Sequence, residues 1–227
     1  MNLTSARVFV VDDNPSMRKA LVRLFHSAGL EAEAFASARE FLARGLYDAP
    51  SCLVLDVRMP ELTGPELQQE LKEAGNAIPI IFVTGHGDVP MAARAMKVGA
   101  VDVLTKPIND AELLQAVGTA IKRDQDARVD REAIEALRHR AVRLTRRERE
   151  VLSFVIAGLL NKQIAAELGT SQRTVKVHRG RVMNKMQAGS VAELVRAAER
   201  LGIAPATPKS RGVSVSPQSS SPDRADG

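Results

Sequence analysis

Four short apolar runs constrain this chain more than any other feature, because each meets a polar group at its end and is followed by a helix-like segment. Val8-Phe9-Val10-Val11 stops at Asp12 and Asp13, Cys52-Leu53-Val54-Leu55 at Asp56, and Ile80-Ile81-Phe82-Val83 at Thr84. Val101-Asp102-Val103-Leu104 is followed closely by Lys106-Pro107. Short apolar runs of this kind suit buried strands, and intervening helical segments make parallel crossovers between them. All the polar groups then come out on one edge of one parallel sheet.

Residues 1–122 alternate strand-like and helix-like stretches five times, with helices expected over 15–28, 37–43, 65–74, 88–98 and 110–122. The expected fold is α/β, a flavodoxin-like doubly wound five-stranded parallel sheet of order 2-1-3-4-5. Ligands bind such sheets at the carboxyl ends of the strands, near the point where strand order reverses. Here that point falls between the strand ending at Asp12 and Asp13 and the strand ending at Asp56. Crowded carboxylates repel one another unless a cation intervenes, and hard oxygen ligands of this type suit Mg²⁺. A metal-flanked Asp can attack phosphorus, with Thr84 and Lys106 placed to bind the phosphoryl oxygens. The chain has no Gly-rich phosphate loop, no His-Asp-Ser set and no Cys/His metal spacing, which favours phosphoryl acceptance from a donor protein over nucleotide hydrolysis. A lone Asp after a strand is ordinarily a turn residue or a cap; the full set at four strand ends is not explained that way.

Charge is divided along the chain. Residues 1–122 carry 12 Lys and Arg against 15 Asp and Glu, whereas residues 144–203 carry 11 against 5. A compact basic segment after an acidic half suggests a nucleic-acid end. With no Trp and one Tyr, stacking on single-stranded nucleic acid is disfavoured. The single cysteine, Cys52, reads as a small core residue. Asp12, Asp13 and Arg18 interrupt the first apolar residues too early for a signal peptide, and no apolar stretch approaches the ~20 residues of a membrane span. The expectation is a cytoplasmic protein without a membrane partner.

Residues 123–143 read as a helical linker with a thin apolar stripe of Val129, Ala133, Ile134, Ala136 and Leu137, and residues 204–227, with four Pro and many Ser, as a disordered tail. The segment 144–203 reads as an all-α, four-helix unit. Thr145-Arg146-Arg147-Glu148 and Ser190-Val191-Ala192-Glu193 are capping-box patterns. A short helix over Lys162–Leu168, a turn at Gly169-Thr170 and a helix capped by Ser171 make a helix-turn-helix. On the last of these, Val175, Val182 and Met186, with His178 between them, face the core. Arg173, Lys176, Val177, Gly180 and Asn184 fall on the opposite face, a mixed surface suited to the major groove.

Val11-Asp12-Asp13, Asp56-Val57-Arg58-Met59-Pro60, Thr84-Gly85-His86-Gly87-Asp88-Val89-Pro90 and Thr105-Lys106-Pro107 resemble a two-component receiver domain; the Gly-His-Gly-Asp-Val-Pro stretch is similar to the FixJ-type subgroup. The resemblance implies that Asp56 accepts phosphate from a sensor histidine kinase. It implies that Asp12, Asp13, Asp56 and the Arg58 carbonyl hold Mg²⁺, that Thr84 is the switch hydroxyl and Lys106 the phosphoryl counter-charge, and that Lys106-Pro107 is cis. Val103 stands where receivers usually carry an aromatic switch residue. The aromatic flip cannot operate here in its usual form, which leaves Thr84 and the loop carrying His86 to carry the signal.

Leu144-Thr145-Arg146-Arg147-Glu148, Asn161-Lys162-Gln163-Ile164-Ala165, Thr174-Val175-Lys176-Val177-His178 and Lys185-Met186 resemble the LuxR/NarL-type effector domain. That resemblance makes Lys176 and Val177 base-reading and puts Lys162 near phosphate. Gly180 departs from the long polar side chain common there, and Arg179 and Arg181 flank it as phosphate contacts. Together the two resemblances imply a DNA-binding response regulator of the FixJ/NarL type. Its partners would be a sensor kinase, double-stranded DNA and RNA polymerase, and it would dimerise on phosphorylation without being an enzyme. Two rivals remain at this level. One is a Mg²⁺-dependent phosphohydrolase using Asp56, disfavoured because Arg58 stands where such enzymes carry a second Asp. The other is a quorum-type, ligand-sensing regulator, disfavoured by the Asp/Thr/Lys set.

Overall fold

The computed structural model describes residues 6–45, 47–85 and 89–208, with the backbone alone over 89–93. The chain divides into two compact units, Met1–Glu132 and Ala133–Gly227. In the first, β1 (Arg7–Val11), β2 (Glu31–Phe35), β3 (Ser51–Asp56), β4 (Ile80–Thr84) and β5 (Asp102–Thr105) form one parallel sheet in the order β2-β1-β3-β4-β5. The helices α1 (Pro15–Ser27), α2 (Ala38–Ala43), α3 (Gly64–Glu73) and α4 (Val89–Val98) connect the strands, and α5 (Asp110–Val142) follows β5.

The central strands are buried on both faces, so their side chains divide between two cores by the two-residue period of a strand. Phe9, Val11, Leu53, Leu55 and Phe82 pack with Phe41 of α2, Leu67 and Leu71 of α3 and Ala95 of α4. Val8, Val10, Cys52, Val54, Ile81 and Val83 pack with Leu21 and Phe25 of α1 and with Leu113, Val117 and Ile121 of α5. Each fully buried large side chain contributes about 1.5–3 kcal/mol. Burial pushes the Cys52 thiol far above its ordinary pKa, and nearby Asp124 adds to the effect. It is a core residue and not a nucleophile.

The expected helix 110–122 and the expected linker helix 123–143 are one helix of 33 residues. Composition changes near 122, but nothing there stops a helix: the span holds no Pro and a single Gly. Beyond Ile121, one described α5 side chain, Asp124, is buried. Its carboxylate accepts the Ser51 backbone N–H at 3.0 Å and Arg128 Nε at 2.8 Å. Arg128 also donates to Asp48 at 3.1 Å and to the Tyr47 carbonyl at 2.9 Å. These bonds tie α5 to the amino end of β3 and carry the compact unit past residue 122.

The second unit contains α6 (Arg146–Ile156), α7 (Asn161–Glu167), α8 (Gln172–Met186) and α9 (Val191–Arg200). They close on Leu144, Val151, Leu152, Val155, Ile164, Val175, Val182, Met186 and Leu194. Thr145 opens α6 with a reciprocal capping box, its N–H on Glu148 at 2.8 Å and its hydroxyl accepting the Glu148 N–H at 3.3 Å. The second expected box forms only by half. Ser190 caps Glu193 N–H at 3.2 Å, but the Glu193 carboxylate accepts the Gly189 N–H at 2.8 Å. The expected disorder of the tail concerns residues that lie, from 209 onward, outside the described ones.

Candidate functional site

Strand register carries the chemistry to one edge. Val11 pairs with Leu55, Asp56 with Val83, and Thr84 with Thr105. Asp12, Asp56, Thr84 and Lys106 therefore leave the sheet side by side at its carboxyl edge. Asp12, Asp56 and Thr84 are 2%, 7% and 3% exposed. Lys106 Nζ bridges the two buried acids, 3.0 Å from Asp12 Oδ2 and 2.9 Å from Asp56 Oδ2. Its backbone N–H donates to the Thr84 carbonyl at 2.7 Å, and the Lys106-Pro107 peptide is cis, as expected. Asp13 is exposed beside them, and oxygens of Asp12, Asp13 and Asp56 lie within 4.8 Å of one another. Three carboxylates in this space form a donor set that fits a hard divalent cation.

The two acids are held differently. Asp12 Oδ1 accepts the Asn14 N–H at 2.8 Å, so its second oxygen alone meets Lys106. Asp56 Oδ1 accepts the Arg58 N–H at 3.3 Å. Burial raises the Asp56 pKa above the ordinary carboxylate value and the Asp12 charge raises it further, against the opposing pull of Lys106 and the Arg58 N–H. For Lys106, burial works against the charged form, yet its bonds to Asp56 and Asp12 outweigh it and raise the pKa. The ammonium stays charged while the carboxyl beside it is under-compensated.

Two supporting residues were not singled out from the sequence. Gly64 opens α3 against the Asp56 strand end: a Cβ there would lie 2.6 Å from the Asp56 carbonyl oxygen and 2.9 Å from the Phe82 ring. Arg18, on the first turn of α1, donates to the carbonyls of Asp12 and Asp13 at 2.7 and 3.0 Å. In sequence, Gly64 merely precedes the expected helix 65–74, and Arg18 marks only a charge that interrupts the first apolar residues. Neither pattern reveals a carbonyl brought near by folding. Val103, at the expected switch position, pairs in register with Phe82 and packs partly buried on the core. His86 lies outside the described residues.

In the second unit the expected reading face exists as a surface of α8. Arg173, Lys176, Val177, Gly180, Arg181 and Asn184 are exposed, Val177 by 49%, while Val175, Val182 and Met186 are buried. Lys162 is exposed on the first turn of α7. Arg179 differs from its neighbours, since its guanidinium donates to Asn161 Oδ1 at 3.2 Å and so ties α8 to the start of α7. Arg147 holds the other end of α7, donating to the Leu168 carbonyl at 2.6 Å. Ser171 caps α8 through the Thr174 N–H at 3.1 Å.

A doubly wound sheet with this carboxylate–lysine edge, joined to a helix-turn-helix unit, defines a signalling receiver coupled to DNA binding. Comparison with known proteins agrees. Residues 8–118 match the response regulator receiver domain family, and residues 142–198 match the bacterial regulatory proteins of the luxR family. Nodulation protein W of Bradyrhizobium diazoefficiens is 53% identical over 200 residues, 88% of each chain. Response regulator protein TodT of Pseudomonas putida is 47% identical over 86% of each. Among solved structures, the response regulator StyR superposes with a TM-score of 0.77 at 45% identity, covering 86% of this chain and 99% of its own. The chain belongs to the two-component response regulators that carry a receiver and a LuxR-type DNA-binding domain. A regulator so built works between a sensor kinase and DNA. TodT and, at 43–44% identity, the FixJ proteins are named as response or transcriptional regulators. Among the described residues, no helix is long and apolar enough to cross a membrane.

Proposed function

We propose that Asp56 is the phosphoacceptor and that its phosphorylation controls DNA binding by α8. The observation that carries this reading is the Lys106 ammonium bridging Asp12 and Asp56 at 3.0 and 2.9 Å beside a third carboxylate. An Asp56 oxygen attacks the phosphorus of a kinase phosphohistidine, the P–N bond breaks, and the imidazole leaves with the electron pair. Asp12, Asp13, Asp56 and the Arg58 carbonyl would hold Mg²⁺, which neutralises the crowded carboxylates and phosphoryl oxygens. Lys106 then moves its bond from carboxylate to phosphoryl oxygen, and Thr84 supplies a hydroxyl from the adjacent strand. The protein acts as a phosphoacceptor with slow self-dephosphorylation, not as an enzyme turning over small substrates, and works in the cytoplasm.

Receiver function is assigned to residues 1–122, connection to 123–143 and DNA binding to 144–203. Lys176 and Val177 read base edges, Arg173 and Gly180 border them on the groove face, and Lys162, Arg179 and Arg181 meet phosphate. Phosphorylation favours a homodimer that places two reading helices on two half-sites, and RNA polymerase is the further partner that transcription control entails. Labelling with acetyl phosphate tests the first half: Asp56→Asn should abolish it, and labelling at wild-type stoichiometry would place the site elsewhere. Binding isotherms on preferred and random duplexes over a salt series test the second. Lys176→Ala should cost about 1–3 kcal/mol on the preferred site alone, whereas Lys162→Ala should weaken both duplexes equally. Because Arg179 is engaged with Asn161, Arg181→Ala should cost more affinity than Arg179→Ala.

A further inference from the structure

We infer that Arg18 is a positioning residue for the metal-binding carboxylates, acting through their peptide carbonyls. The inference rests on the phosphoacceptor reading above. One guanidinium nitrogen, Nη1, donates to both the Asp12 and the Asp13 carbonyl, at 2.7 and 3.0 Å. Charge-assisted bonds of this length are about twice as strong as neutral ones. The Asp12 side chain is held independently, by the Asn14 N–H and by Lys106. Asp13 has no such support: among the described residues, nothing is hydrogen-bonded to its carboxylate, and its peptide is fixed from outside the loop by Arg18. The tether therefore sets where the exposed carboxylate projects.

Arg18 occupies an unfavourable place for a cation. It lies on the first turn of α1, where the helix dipole favours negative charge, and beside a site that would take Mg²⁺, which it would repel. As a charge alone, Arg18 weakens metal binding, and its removal should tighten it. As a tether it spares the metal the entropy of ordering a free loop, and its removal should loosen binding. The two roles predict opposite signs.

The test measures Mg²⁺ affinity calorimetrically, with acetyl phosphate labelling across a Mg²⁺ series, on the full chain. The variants are Arg18→Met, Arg18→Lys and Lys19→Met, the last removing a cation from the adjacent exposed position. Outer-shell partners of a metal site typically matter 10–100-fold in affinity. Arg18→Met should weaken Mg²⁺ about tenfold, with labelling restored at saturating Mg²⁺, which a general folding defect would not allow. Arg18→Lys should recover part of the affinity, and Lys19→Met should leave it unchanged or slightly tighter. Unchanged or tighter Mg²⁺ binding by Arg18→Met, with wild type binding and labelling normally, overturns the inference alone. A wild type that neither binds Mg²⁺ nor labels on Asp56 overturns the phosphoacceptor reading and this inference with it.

Discussion

Each unit contains a buried carboxylate bonded to a lysine, and the two pairs behave in opposite ways. In the first, Lys106 lies 2.9 Å from Asp56, but the same ammonium must also serve Asp12, and the Asp56 pKa is raised. In the second, Lys185 lies 2.7 Å from Glu148, which is 2% exposed. Burial again works against the charge of Glu148, but Lys185 and the Thr145 N–H and hydroxyl outweigh it and lower the pKa. The difference is in the count of donors per carboxylate. Glu148 is a completed cap that fastens the start of α6 to the end of α8. Asp56 is an acid kept short of partners, next to another acid, in a place where a cation and a phosphoryl group could complete it. Perturbed acids gather at functional sites, but structural ion pairs perturb pKa values too; here the direction of the shift separates them.

The comparison breaks most visibly at Glu148. Glu148→Ala leaves Lys185 with the Arg143 carbonyl at 3.0 Å and exposes the Thr145 N–H to loss of its partner. Removing one member of a buried pair costs about 3–5 kcal/mol. Because Lys185 is 30% exposed, about 3 kcal/mol is expected here. Glu148→Gln, which retains an acceptor for the cap, should cost less. Thermal melts followed by far-ultraviolet circular dichroism should show the loss. Tyr47 belongs to the first unit and the chain has no Trp, so tyrosine emission should report a transition that does not move. A melting point unchanged by Glu148→Ala would mean that the pair is not structural.

Asp56→Asn should have a smaller effect of opposite sign. It removes the repulsion with Asp12 and leaves Lys106 one acid instead of two. Measured in EDTA, the first unit should be stabilised by about 1 kcal/mol or less, seen as a later tyrosine transition. Clear destabilisation would make Asp56 a structural partner of Lys106, and the contrast with Glu148 would vanish.

Much of this contrast was legible in the sequence, for a physical reason. Strand ends, capping boxes and helix faces are set by residues close together in the chain. Asp12, Asp56, Thr84 and Lys106 announce themselves by following apolar runs, and Thr145 and Glu148 by their three-residue spacing. What was not legible depends on groups far apart. Asp124 is buried because the Ser51 N–H, 73 residues away, meets it. Gly64 is required by the Asp56 carbonyl, and the Arg179 guanidinium is engaged because Asn161, 18 residues away, offers an oxygen. Ser190-Val191-Ala192-Glu193 shows the same limit at short range, since Glu193 had two backbone N–H groups within reach and took Gly189. The extent of α5 is not legible from composition, which changes near residue 122 although no residue there breaks a helix and α5 continues to Val142.

The pH dependence sharpens the comparison with the smallest signal. For Asp56, the folded pKa is raised above the unfolded one. Its contribution to stability is therefore full below the ordinary carboxylate pKa and is lost as pH rises through the raised value. For Glu148, the folded pKa is lowered, so its contribution is present above the ordinary value and is lost as pH falls through the lowered one. The advantage of Asp56→Asn over wild type should thus be largest at neutral pH and shrink on acidification through the raised pKa. The deficit of Glu148→Gln should also be full at neutral pH, and should begin to close only when pH falls below the ordinary carboxylate range. Melts of the three proteins between neutral pH and mild acid, in EDTA, order the two events: the Asp56 difference should close first. If the Glu148 difference closes at the higher pH, the assignment of the frustrated acid and the completed cap is reversed.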